Sequence, residues 1–63
     1  MSNNPVEDLK NSVINLLVSQ YDFTIDEAEE AVGESATDNA DMWHENADAS
    51  DLAKFVASDG DDD

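Results

Sequence analysis

Between Val6 and Leu17 the large apolar residues Val6, Leu9, Val13, Leu16 and Leu17 recur at steps of three and four. That spacing lines up one face of an α-helix. Ile14 and Val18 widen the stripe, so this helix exposes more apolar surface than one neighbour covers, and it takes a central position. Its start is also written in the chain. Asn4 can accept from an exposed first-turn N–H, Pro5 has no N–H to waste at the first helical position, and Glu7 stands where a capping box places its acid. The pattern predicts a helix over 5–20. The rest of a 63-residue chain must cover it, and a domain this small buries only about 60% of the surface its unfolded chain exposes. No Cys is present to staple the fold, and a single His without Cys leaves a structural zinc site without ligands.

Tyr21-Asp22-Phe23 reads as a short turn. Thr24-Ile25-Asp26-Glu27 then forms a second capping box, with Thr24 as cap and Glu27 three residues on. Asp26, Glu27 and Glu29 fall near the positive helix end, where each is favourable by a few tenths of a kcal/mol. Ala28, Ala31 and Val32 supply an inner face and Gly33 a stop, which predicts a short helix over 25–32. From 34 to 48 a thin seam of Ala36, Ala40, Trp43 and Ala47 suits a helix capped by Thr37 or Asp38. Its propensity is poor, because Asn39, Asn46 and several Asp compete for backbone hydrogen bonds. Past Asp48 the apolar phase slips to Ala49, Leu52, Ala53 and Val56, with Phe55 on the flank. This predicts a break and a last helix over 49–57; one continuous kinked helix is the alternative. Residues 58–63 read as a disordered acidic tail and 1–4 as a polar lead, leaving one helical domain over 5–57. The class is all-α, a small three- to four-helix bundle.

The segment Leu17-Val18-Ser19-Gln20-Tyr21-Asp22-Phe23, followed by Ile25-Asp26-Glu27-Ala28-Glu29-Glu30-Ala31-Val32, resembles the first two helices of ubiquitin-associated (UBA-like) domains. That family has an aromatic-ended turn, then an acid-containing helix with Ala five residues after the aromatic and an Ala-Leu-like pair beyond. Phe23, Ala28, Ala31 and Val32 occupy those places. Ala49-Ser50-Asp51-Leu52-Ala53-Lys54-Phe55-Val56 is similar to its third helix. The turn reads Tyr-Asp-Phe where the family commonly has a Met-Gly-Phe-like sequence, and the connector over 33–48 is long. The resemblance implies a protein-binding module in which the first helix packs across the other two, Phe23 plugs the turn, and Phe55 and Val56 close the core. Met42 and Trp43 then lie on an extra segment.

Charge decides which partners such a surface tolerates. Seventeen Asp and Glu face two cations, Lys10 and Lys54, for a net charge of −15. Phosphate backbones and anionic bilayers are repelled, whereas basic protein surfaces are attracted over a Debye length of about 8 Å. The apolar cluster over 13–18 is interrupted by Asn15 and is too short for a membrane span or signal core, so a cytoplasmic location is expected. A globule roughly 25 Å across spans about 15 phosphates of B-DNA, which carries one charge per ~1.7 Å. An acidic decoy of a nucleic-acid-binding protein is therefore one alternative. A salt-adapted surface with no partner role for its charge is another.

Nothing in the chain has the arrangement of a catalytic centre. His44-Glu45 lacks a second His at helical spacing and a paired nucleophile, and reads as surface. Asp26-Glu27 and Glu29-Glu30 do not form a glycosidase-type pair. The run from Asp59 to Asp63 ends before a calcium loop is complete. The expectation is a non-enzymatic protein-interaction module without metal or cofactor, a monomer or weak homodimer, whose partner carries a basic surface. Its contact residues are expected to be Tyr21, Asp22, Phe23, Glu29, Glu30 and Phe55. Trp43 is either an optional anchor for that partner or a cap on a core short of large side chains, the second being favoured.

Overall fold

A computed structural model describes residues 4–60, and the order of elements is α1 (Pro5–Gln20), α2 (Ile25–Asp38), a 3₁₀ turn over Ala40–Met42, and α3 (Ala49–Gly60). The described residues contain no strand, and the fold is a small all-α bundle. α1 spans the residues its periodicity predicts. The Asn4 side chain accepts from the N–H groups of Val6 (3.0 Å) and Glu7 (3.4 Å), and Pro5 opens the helix. Leu9, Val13 and Leu17 point into the core, four residues apart. Val6, Ile14, Leu16 and Val18 pack around them half-buried, and α1 packs against both α2 and α3. This is the central position its wide stripe requires.

The turn after α1 is held by one carbonyl. Leu17 C=O accepts from Tyr21 N–H (3.1 Å) and from Phe23 N–H (3.0 Å), and between them Asp22 takes φ +64°. This is left-handed backbone, which Asp tolerates better than most residues because its short polar side chain bonds locally. α2 begins at the expected capping box. Thr24 Oγ1 accepts from Glu27 N–H (3.1 Å), and Glu27 Oε1 accepts from Thr24 N–H (3.3 Å).

α2 does not stop at Gly33. It runs six residues beyond the expected end at Val32, to Asp38, and its buried face continues from Ala28 and Val32 to Ser35. Gly33 lies on the exposed side with helical backbone, and a Cβ there would meet nothing within 4 Å. Gly33→Ala is therefore expected to stabilise the chain by about 0.5–1 kcal/mol, through helix propensity and a less flexible unfolded state. Thermal melts followed by circular dichroism check this; a lower midpoint would show that the helix does not pass through residue 33.

The helix expected over 34–48 is likewise corrected. Its first part belongs to α2, where Thr37 Oγ1 donates to Gly33 C=O (3.0 Å) instead of capping a new helix. Its second part is the 3₁₀ turn and a bend, with Trp43 turned inward. The break near Asp48 stands where the phase slip puts it. Asp48 Oδ1 accepts from Ser50 N–H (3.2 Å) at the start of α3. Leu52, Ala53 and Val56 are buried, with Phe55 half-buried beside them. α3 reaches Gly60, so residues 58–60 are helical and not part of a disordered tail. Its last turn needs only carbonyl acceptors four residues back, and the turn that offers them is anchored by buried Val56. The remainder of the expected tail, 61–63, lies outside the described residues, as do 1–3 of the expected lead.

Candidate functional site

Trp43 is a core residue. It is 5% exposed, and its Nε1–H donates to Ser35 Oγ (3.3 Å) across the end of α2. The favoured reading of Trp43 as a cap on the core holds, and the alternative of an optional partner anchor is corrected: a side chain that fills the core and holds a buried hydroxyl is not offered to a partner. Burial of Ser35 is tolerable because of this bond, and no buried side-chain polar atom among the described residues lacks a partner.

The exposed apolar surface is elsewhere. Among the described residues the large hydrophobics that stand exposed are Tyr21 (38%) and Ile25 (53%), which flank the α1–α2 turn on its two sides. Phe23 sits between them in sequence, half-buried and packed against the core. The expected contact residues Tyr21, Asp22 and Phe23, consecutive in the chain, all lie in this turn. Phe23 also lines an open groove of about 380 Å³ with Glu27, Glu30, Ala31 and Glu34, so expected residue Glu30 joins the same site. Glu29 is exposed on α2 but does not line this groove, and neither does Phe55 on α3.

Ile25, Glu27, Ala31 and Glu34 are the site residues that sequence reasoning missed. Glu27, Ala31 and Glu34 follow one another at steps of four and three, the signal that could have grouped them with Phe23. Ile25 gave no such signal. It lies three residues before buried Ala28, which by periodicity alone suggests an inner position. It is exposed because it is the first residue of the helix.

Electrostatically, α2 stands apart. It carries Asp26, Glu27, Glu29, Glu30, Glu34 and Asp38 and no cation. Asp26, Glu30 and Glu34 fall on the side away from Ala28 and Val32. Lys10 and Lys54 belong to α1 and α3. A second open groove, of about 310 Å³, is lined by residues 37–42. His44 is exposed, and its Nδ1 accepts from Asn46 N–H (3.2 Å), a local turn bond. No group of three or more potential ligands among the described residues is placed to hold a metal ion, and no helix there is long and apolar enough to cross a membrane. Comparison with protein-family models, curated proteins and solved structures gives no match for this chain.

Proposed function

We propose that this chain is a small, non-enzymatic protein-interaction module of UBA-like type. It meets a partner protein with a basic surface through the α1–α2 turn and the outer side of α2. The observation that carries this reading is the placement of its exposed large apolar side chains. Tyr21 and Ile25 flank a single turn, beside a helix with six acids and no cation. Two features support the UBA-like comparison. Asp22 holds the left-handed conformation that suits the glycine common at this place in the family's turn. The connector also shortens to ten residues, 39–48, because α2 runs to Asp38.

A second reading concerns who the partner is. Along α2, Asp26, Glu30 and Glu34 form a stripe on its outer side, about 12 Å long at 1.5 Å per residue. A stripe of that kind favours a nucleic-acid-binding protein as the basic partner, with this chain as its decoy.

Affinity capture with the intact chain and with a Tyr21→Ser, Ile25→Ser variant tests the proposal. Truncating an interface anchor commonly costs more than about 1 kcal/mol, or about fivefold in affinity. A protein retained by the intact chain is therefore expected to fall by about that factor with the variant, while helicity by circular dichroism stays the same. Equal retention by both chains contradicts the proposal. Release of the retained protein by added duplex DNA distinguishes the decoy reading; persistence of the complex rejects it.

A further inference from the structure

The groove beside Phe23 has a lining of mixed chemistry. Of its lining, Phe23 and Ala31 are apolar and half-buried, whereas Glu27, Glu30 and Glu34 are exposed acids. Glu27 is already engaged, holding Thr24 N–H. Glu30 and Glu34 make no side-chain hydrogen bond among the described residues. They stand one helical turn apart, close enough to repel one another, and Glu30 also has Asp26 and Glu27 within a turn on the same helix. The free chain thus holds like charges together at the edge of an apolar surface.

That combination selects an occupant. A second copy of the chain would set one acidic helix against another, and nucleic acid or an anionic bilayer would be repelled in the same way. Resting on the reading above, we propose that the groove seats a cationic amphipathic segment of the partner protein. One aliphatic or aromatic side chain of that segment lies on Phe23 and Ala31, and Lys or Arg on either side of it meets Glu30 and Glu34. The apolar contact gives the site its register. The cations relieve the repulsion between the two carboxylates and steer the encounter. At about 380 Å³ the groove is at the small end of ligand pockets, which suits a single inserted side chain flanked by charges.

The test is a titration of the isotope-labelled full chain, followed by chemical shifts. One probe is a short helical peptide with Lys at i and i+4 and Leu between them on the same face; the other is an oligolysine of equal charge. The amphipathic peptide is expected to bind about tenfold more tightly, the equivalent of burying most of one leucine, and to move the resonances of Phe23, Glu30, Ala31 and Glu34. Glu30→Gln with Glu34→Gln is expected to weaken it about tenfold. Glu45→Gln with Asp51→Asn, the same change in charge outside the groove, is expected to stay within about twofold. Helicity of each variant is read in the same samples, so lost binding is not mistaken for lost structure. Equal binding of the two probes, or equal loss from the two charge pairs, overturns the proposal and leaves only a diffuse acidic field. A captured partner sensitive to Tyr21→Ser, Ile25→Ser but indifferent to the Glu30, Glu34 pair would reject this groove and leave the interaction module standing. A partner indifferent to the first pair rejects the module itself.

Discussion

Replacing Trp43 with alanine is expected to remove about a third or more of the chain's stability. Buried Trp→Ala changes cost about 3–5 kcal/mol. A chain of 63 residues, at roughly 0.05–0.15 kcal/mol per residue, has about 3–9 kcal/mol in total. Trp43 also holds Ser35, the one buried polar residue among the described residues, since its indole N–H donates to Ser35 Oγ at 3.3 Å. Trp43→Phe separates the two contributions. It keeps most of the apolar area and loses the donor, and Ser35 can turn its hydroxyl onto a carbonyl of its own helix. The expected cost is about 1–2 kcal/mol. Urea titrations followed by circular dichroism measure both variants. An alanine variant as stable as the parent would mean that Trp43 is a surface residue and that the connector does not close the core.

Raising sodium chloride from about 0.01 M to 1 M shortens the screening length from about 30 Å to 3 Å, and the melting temperature is expected to rise by about 5–15 °C. The like-charge pairs Asp26–Glu29, Asp26–Glu30, Glu27–Glu30, Glu30–Glu34 and Glu34–Asp38 all lie within a turn of one another on α2. At about 0.2–0.5 kcal/mol each they oppose folding by about 1–2 kcal/mol at low salt, and each kcal/mol is worth about 4–8 °C in a domain of this size. The helix C-termini offer no offsetting positive charge. Every helix has acids in its first turn, where they help, but none has a base in its last turn. Glu30 takes part in three of those five pairs, so Glu30→Gln should raise the low-salt midpoint and shrink the gain from salt. A midpoint that does not move with salt would contradict this electrostatic account of α2.

What the chain discloses in advance depends on whether its inward positions are apolar. α1 is legible at both ends because its buried positions are Leu9, Val13 and Leu17, its cap is Asn4-Pro5, and a turn follows at once. α2 is legible only to Val32. Its next inward position is Ser35, a polar residue that carries no hydrophobic signal, and Gly33 resembles a stop although it faces solvent. Ser35 is buried because Trp43 returns to it from eight residues downstream, a contact that no local pattern encodes. The same contact explains why Trp43 stood open between anchor and core. At the site, the aromatic turn was visible as Tyr21-Asp22-Phe23. Ile25 was not, since its exposure follows from its place at the start of the helix.

Glu30 links the two themes: it weakens the free helix through its like-charged neighbours, and under the proposal a cation of the partner neutralises it. Stability given up at a binding surface is common where function needs the charge. The central claim is that the α1–α2 turn and the outer side of α2 together form a protein-binding face. Its most direct test is a map of backbone amide shifts as the captured partner is titrated into the labelled chain. The account predicts that the largest changes fall on Tyr21 to Ile25 and on Glu27, Glu30, Ala31 and Glu34. Changes confined to α3, or to the turn over residues 44–47, would contradict it.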